Sequence, residues 1–146
     1  MSRDGAKESR RRLENSLRDA LGKTILAALD DPKVVEVMLN PDGTLFIERI
    51  GAGMEPAGEM SAHDAEAVIG RVAHALKTEV DQDRPIISGE LPLGGHRFEG
   101  LLPPAAPSPM FTIRKRASML ITLDQYMTDG IMSAAQIAVV REAIAN

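Results

Sequence analysis

The chain has 146 residues, of which 44% are hydrophobic and 26% charged, a composition typical of one folded domain rather than of a disordered segment. Its formal net charge of −4 disfavours a general nucleic-acid coat, because such binding depends on many Lys and Arg side chains. The sequence contains no cysteine, which excludes disulfides and thiol chemistry, and it shows no long apolar run or secretory pattern, which favours a cytoplasmic location.

The first predicted element is a helix over residues 8–29, preceded by a flexible terminus over residues 1–7. Apolar side chains recur there every four residues, as on one helix face: Leu13, Leu17, Leu21, Ile25 and Leu29. The segment also contains Gly22-Lys23-Thr24, which matches the end of a phosphate-binding loop. Such a loop needs an earlier glycine where this chain has Leu17, and it must follow a buried strand. We therefore interpret the segment as helix and not as a nucleotide site.

A β-hairpin is predicted next, because the β-branched run over 34–39 and the strand over 44–50 are joined by Asn40-Pro41-Asp42-Gly43, a strong turn sequence. A second turn and a short strand follow over 51–60. Ser61 is then placed to cap a helix, whose predicted buried stripe consists of Ala65, Val68, Ile69, Val72 and Leu76.

Three further short strands are predicted in PIISGELP, HRFEGLLPP and MFTIRKRA, separated by Gly-Gly and by a Pro-rich connection. Strands joined by such short connections are most often antiparallel neighbours. The predicted fold class is therefore α+β, a mostly antiparallel β-meander sheet with flanking helices.

The end of the sequence predicts a short helix near residues 123–126 and a second helix that begins at a Ser133/Gln136 capping box. The apolar stripe predicted for this second helix is Ile137, Val140 and Ile144. Because the stripe continues almost to the last residue, we expect residues 8–130 to form one α+β domain and residues 131–146 to form a linker helix leading to a further domain.

Few residues suggest metal binding or catalysis. The histidines His63, His74 and His96 lack metal-ligand spacing, so we interpret them as surface or capping residues. The carboxylates of DQDRP, residues 81–85, could bind magnesium, although this pattern before an Arg-Pro turn is more often a solvated loop. No serine lies on a Gly-x-Ser-x-Gly elbow, and no catalytic residue is predicted.

Arginines are the remaining candidates. If Phe111 and Ile113 face the core, the alternation of a strand sends Arg114 and Arg116 to the opposite face. Arg97 reaches the same face if the neighbouring strand pairs with its own apolar side inward. Guanidinium groups bind phosphate oxygens through paired N–H donors, so this face is a candidate phosphate site. The alternative is an ordinary solvated sheet face.

Three segments in this order resemble a known family: VVEVMLNPDGTLFIER, RFEGLLPP and FTIRKRA. They are similar to the PAS-like N-terminal domain of the hexameric traffic ATPases of type IV secretion and conjugation. In that family the domain precedes a RecA-like motor that carries the phosphate loop, and nucleotide lies between the two. The resemblance implies ATP and Mg2+ as cofactors, bound mainly by a motor that this sequence does not contain, and no catalysis by this segment alone.

The resemblance also implies residue roles. Arg97 resembles the family arginine that reaches the terminal phosphate, and Arg114 resembles the second phosphate-contacting arginine. Asn40 is expected near the base and ribose, and Arg116, which matches no fixed family position, is a further nucleotide-adjacent candidate. The implied partners are the other subunits of a homohexamer and the secretion machinery at the inner membrane, where the protein would be peripheral, with no direct contact to nucleic acid.

Two other functions stay open at this point. The chain could be a non-catalytic scaffold that binds proteins or docks on a membrane, with Arg10, Arg11 and Arg12 touching anionic lipid. It could also be a small-molecule sensor, although an aromatic content of 3% leaves little with which to line a pocket.

Overall fold

The computed structural model describes residues 3–117 and 122–145. The chain divides into two compact units, Met1–Arg116 and Ala117–Asn146. The first unit contains α1 (Arg3–Asp30), β1 (Val34–Leu39), β2 (Thr44–Arg49), β3 (Gly53–Glu59), α2 (Ala62–Ala75), β4 (Ile86–Glu90), β5 (Arg97–Leu101) and β6 (Met110–Arg114). The second unit contains α3 (Leu123–Thr128) and α4 (Ala134–Ala145). Among the described residues, no helix combines the length and the apolar character needed to cross a bilayer.

The strands of the first unit form one six-stranded sheet in the order β3-β2-β1-β6-β5-β4, and every neighbouring pair is antiparallel. The predicted antiparallel sheet with flanking helices is confirmed. The β1–β2 hairpin turns at the expected place, where the Gly43 N–H donates to the Asn40 carbonyl at 3.0 Å. The pairing of β1 with β6 joins this hairpin to the later meander, and no short turn in the sequence predicted it.

The core lies between one face of the sheet and the two helices of the first unit, because alternate residues of β1, β2, β5 and β6 are buried on that face. At its centre the rings of Phe98 and Phe111 stack with centroids 5.6 Å apart, and both residues are fully buried. The predicted stripe of α2 is confirmed at Ala65, Val68, Ile69 and Val72, and the Ser61 hydroxyl accepts from the Asp64 N–H at 3.1 Å as the N-cap. The opposite face of the sheet is left without a covering helix in this unit.

Helix α1 differs from its prediction in two ways. It begins at Arg3 rather than at Glu8, and it is interrupted at Gly22, whose φ of 80° and ψ of 170° are not helical. The prediction of one continuous helix is therefore wrong at Gly22. This conformation is accessible essentially to glycine alone, which is a reason for a glycine at this point of an otherwise apolar-striped helix. No strand precedes Gly22-Lys23-Thr24, so the geometry of a phosphate loop is absent from this described segment.

Replacing Gly22 by alanine should lower the free energy of unfolding by about 1–3 kcal/mol, because a Cβ is disfavoured at this positive φ. Gly70 is the matched control, since it lies inside α2 with nothing within 4 Å of an added Cβ. Gly70→Ala should instead stabilise the chain by up to about 1 kcal/mol. Urea denaturation measures both changes, and stabilisation by Gly22→Ala would mean that α1 is straight in solution.

The second unit is a pair of short helices with capped ends. The Ser133/Gln136 box is confirmed, because the Gln136 side chain accepts from the Ser133 N–H at 2.8 Å and the Ser133 hydroxyl accepts from the Gln136 N–H at 3.2 Å. Of the predicted stripe, Ile137 is buried and Ile144 is 75% exposed. The compact units divide after Arg116, whereas the sequence placed its boundary after residue 130; that domain assignment stays a prediction.

Candidate functional site

The outer face of the sheet presents two arginines side by side. The alternation in β5 and β6 buries Phe98, Phe111 and Ile113 and turns Arg97 and Arg114 outward. Arg97 and Arg114 are directly opposite each other in the β5–β6 register. The structure therefore brings together the two residues that the sequence singled out for phosphate binding.

Two like charges in directly opposed positions repel each other, so this pair costs stability unless something neutralises it. Arg114 has a partial partner, because its Nη2 lies 3.8 Å from Glu36 Oε1, and Glu36 is opposite Arg114 in the β1–β6 register. The Arg114 side chain nevertheless remains 71% exposed. Arg97 forms no side-chain hydrogen bond or ion pair with any residue of the described ranges. Both guanidinium groups are available to an anion.

Two surface cavities meet at the arginine pair. One has a volume of about 230 Å³ and is lined by Glu36, Met38, Arg97, Glu99, Thr112 and Arg114. The other has a volume of about 370 Å³ and is lined by Glu90, Gly95, Arg97, Arg114, Lys115 and Arg116. Arg116 thus shares a cavity with the pair, as the sequence suggested, although it follows the end of β6 rather than lying in the strand.

Asn40 lies away from this cluster. It follows the last residue of β1, where its N–H donates to the Thr44 carbonyl at 3.0 Å in the hairpin turn. Side chains alternate along β1, so Asn40 belongs to the same outer face as Glu36 and Met38. It is four positions beyond Glu36 in the chain, which corresponds to about 13 Å along an extended strand. The structure therefore places Asn40 on the same face as the arginines without bringing it to them.

Known proteins with similar sequences indicate the family to which the chain is related. No protein-family model matches. The chain is 64% identical over 133 residues to a probable conjugal transfer protein TrbB of Sinorhizobium fredii, which covers 91% of this chain and 41% of that protein. It is 33% identical over 105 residues to the protein VirB11 of Agrobacterium fabrum, which covers 70% of this chain and 30% of that protein. The chain therefore spans less than half the length of these relatives.

A solved structure agrees with the sequence comparison. The crystal structure of the VirB11 ATPase from the Brucella suis type IV secretion system, in complex with sulphate, superposes with a TM-score of 0.73 at 25% identity, over 87% of this chain and 38% of that chain. The chain belongs to the TrbB/VirB11 family of type IV traffic ATPases. It has the fold of the N-terminal domain of that family, which confirms the resemblance found in the three sequence segments.

Sequence reasoning missed the acidic neighbours of the arginine pair in this TrbB-type domain. Glu36 faces Arg114 from β1, and Glu90 faces Arg97 from β4. Glu99 lies two residues further along β5 than Arg97, one row further along the same face. The alternation of β1 could have placed Glu36 on the outer face, but only the strand order puts β1 beside β6.

The other candidate ligands of the TrbB-type domain do not form a site. His63 and His74 are exposed on α2, and the described residues contain no group of three or more His, Cys, Asp or Glu side chains that could hold a metal ion. In the DQDRP loop, the Asp81 carboxylate accepts from the Asp83 and Arg84 N–H groups, each at 2.9 Å, as in a turn stabilised by an aspartate side chain.

His96 supports the end of β6 beside the arginine cluster. Its Nδ1 accepts from the Arg116 N–H at 3.0 Å, which requires that this nitrogen carry no proton. Burial lowers the pKa of His96 below the usual 6.5, and the positive charges of Lys115 and Arg116 lower it further. Burial likewise lowers the pKa of Lys115, against the opposing effect of Asp31 and Asp30, and the Lys115 ammonium donates to the Asp31 carbonyl.

The titration of His96 should make stability depend on pH. Because the unfolded chain binds this proton more readily than the folded chain, the free energy of unfolding should fall as the pH drops below 6.5 and level off below the lowered pKa. His96→Asn retains an acceptor but does not titrate, so urea denaturation from about pH 7.5 to pH 5 should show a smaller loss for this variant. His63→Asn, at an exposed position of α2, is the control, and equal losses of stability in wild type and His96→Asn would contradict the assignment.

Proposed function

We propose that this chain is the N-terminal, nucleotide-gripping domain of a hexameric ATPase that powers conjugative DNA transfer through a type IV secretion system. Family membership supplies the general class. The observation that carries the nucleotide role is the directly opposed Arg97–Arg114 pair on the uncovered face of the sheet. Two exposed guanidiniums, of which only Arg114 has an ion-pair partner in the described residues, match the charge and the oxygen geometry of a terminal phosphate.

The residues fit ATP only in part. Arginine forks suit the phosphate oxygens, and the resemblance to the traffic ATPases implies a motor domain in the longer protein that would hold Mg2+ and the phosphate loop. When bound there, ATP supplies the anhydride bond whose hydrolysis powers the machine. This domain would contribute the guanidinium groups of Arg97 and Arg114 from outside the motor. It would not hydrolyse ATP by itself. Asn40 and Arg116 are proposed to lie near the nucleotide without contacting the terminal phosphate.

A contact made only while phosphate is present gives the domain a mechanical role. Arg97 and Arg114 would stabilise one orientation of the domain when triphosphate is bound and would lose that ligand after hydrolysis and release. A ligand that binds two orientations with different affinity shifts the equilibrium between them. Movement of N-terminal domains around a homohexamer, felt by the secretion machinery at the inner membrane, is the proposed output.

The membrane-docking alternative receives less support. The arginines near the start of α1 are exposed, but Arg10 lies 3.1 Å from Glu14 and Arg12 lies 3.3 Å from Glu8, in ion pairs along the helix. The surrounding residues 3–12 offer no apolar face to insert into lipid. Partial neutralisation and the lack of an apolar face both weaken the attraction to an anionic membrane.

Binding of inorganic pyrophosphate to the 146-residue chain tests the phosphate role. We expect titration to shift the NMR signals of the Arg97 and Arg114 Nε–H groups, and Arg97→Ala to weaken binding about tenfold, because a hydrogen bond to a charged group contributes about 1.5–3 kcal/mol. Arg84, which pairs with Glu79 in the loop before β4, is the control. Its Nε–H signal should not shift on titration, and Arg84→Ala should bind pyrophosphate as tightly as wild type. Wild-type affinity in Arg97→Ala would contradict the proposal.

A further inference from the structure

The charges on the outer face follow a fixed order across five strands. The register aligns Glu48 on β2 with Glu36 on β1, Glu36 with Arg114 on β6, Arg114 with Arg97 on β5, and Arg97 with Glu90 on β4. Directly opposed residues of antiparallel strands point to the same face, so these five side chains form one transverse row. The arginine pair occupies the middle of the row and carboxylates occupy both ends.

A further carboxylate, that of Glu99, lies beside the arginine pair in the direction along the strands. Glu99 lies two residues along β5 from Arg97 and is opposite Thr112 on β6, so it follows the arginine pair in the next row of the same face. The three carboxylates nearest the pair, which we call the acidic flank, are Glu36, Glu90 and Glu99. Only the fourth side is basic, where Lys115 and Arg116 share a cavity with the pair.

The acidic flank makes the face a poor surface for an extended polyanion. Neighbouring strands lie about 4.8 Å apart. The positive part of the row is therefore only two strands wide, and the next strand on either side carries a carboxylate. Single- and double-stranded DNA gain affinity by placing many phosphates in turn against Lys and Arg. If a DNA strand followed the transverse row, the phosphates adjacent to those bound by the arginine pair would lie against Glu36 or Glu90. If it followed β5, the adjacent phosphate would lie against Glu99.

A terminal phosphate group is affected less by the acidic flank than the DNA backbone is. Its charge is concentrated on a few oxygens, which paired guanidinium donors can contact at short range without reaching the flanking carboxylates. The Glu36 side chain is only 14% exposed, and its Oε1 lies 3.8 Å from Arg114 Nη2. The Glu36 carboxylate therefore weakens the positive potential of Arg114 at long range. It interferes less with a phosphate group that contacts the exposed Arg114 guanidinium directly.

We propose that the acidic flank is a specificity determinant that admits a terminal phosphate or pyrophosphate group to Arg97 and Arg114 and rejects the phosphodiester backbone of DNA. This inference rests on the proposed phosphate role of the pair. It assigns to Glu36, Glu90 and Glu99 a function in discrimination and not in phosphate contact. In a protein whose relatives serve conjugal transfer, such a flank keeps the nucleotide face clear of DNA.

The test compares two triple variants of the 146-residue chain that change net charge equally. The flank variant is Glu36→Gln, Glu90→Gln and Glu99→Gln, and the control variant is Glu59→Gln, Glu66→Gln and Glu79→Gln, whose positions lie outside both cavities at the pair. Fluorescence anisotropy with a labelled single-stranded DNA oligonucleotide measures affinity at several salt concentrations. Isothermal titration measures the affinity for pyrophosphate, and circular dichroism checks that both variants fold.

The flank variant should bind the DNA at least about tenfold more tightly than the control variant, with a log–log salt slope steeper by about 0.7 for each phosphate newly neutralised. Its affinity for pyrophosphate should rise by a smaller factor. Adding Arg97→Ala to the flank variant should remove the gain in DNA binding. Equal DNA affinities of the flank and control variants, with pyrophosphate binding intact in wild type, would overturn the selectivity alone. No pyrophosphate binding by wild type would overturn the proposed function and the selectivity together.

Discussion

Replacing both Arg97 and Arg114 by alanine in the full-length ATPase is expected to lower kcat/KM for ATP about a hundredfold or more. Each arginine should provide a charge-assisted contact of about 1.5–3 kcal/mol to the phosphates, and every 1.4 kcal/mol corresponds to about a factor of ten. Because the two side chains are directly opposed in the β5–β6 register, we expect them to contact the same phosphate group. Steady-state phosphate release, with hexamer assembly checked by size-exclusion chromatography, measures the effect.

Two control variants separate the effect of paired hydrogen bonding from that of charge and from that of removing any exposed arginine. Arg97→Lys keeps the charge but loses the planar fork, so an intermediate loss would show that paired hydrogen bonding matters in addition to charge. Arg84→Ala removes an exposed arginine that pairs with Glu79 outside the cluster, and its turnover should remain that of wild type. Wild-type turnover in the double variant would exclude a nucleotide role for the pair and would favour the scaffold function.

Replacing Phe111 by alanine should lower the free energy of unfolding of this chain by about 3–5 kcal/mol, the usual cost of removing a large core aromatic. Phe111 is fully buried, stacks on Phe98 with centroids 5.6 Å apart, and lies on β6 between β1 and β5 in the middle of the sheet. Its loss leaves a cavity that neighbouring strands cannot easily fill.

Phe46→Ala is the matched control for this substitution. Phe46 is half-buried on the outer face of β2, and we expect its removal to cost about 1 kcal/mol. Urea denaturation followed by circular dichroism measures both variants. Equal losses would contradict the assignment of the core to the helix-covered face, and with it the outward orientation of Arg114, which alternates with Phe111 and Ile113 along β6.

Local patterns in the sequence determined much of the first unit. The Asn40-Pro41-Asp42-Gly43 turn, the Ser61 cap and the apolar alternation of β5 and β6 each depend on residues close together in the chain, and each is found in the structure. Local patterns failed where another preference competed with them. Gly22 lies in a helical apolar pattern but adopts a backbone conformation that interrupts the helix.

The sequence alone also determined which face of each strand carries Arg97 and Arg114, because the period of two fixes side-chain direction along a strand. Only the tertiary structure decided that the two are directly opposed, that β1 brings Glu36 to Arg114 and that β4 brings Glu90 to Arg97. Strand order and register depend on packing between segments far apart in the chain, and a shift of one residue would move every side chain to the other face. The arginines could therefore be named from the sequence, whereas the acidic flank required the fold.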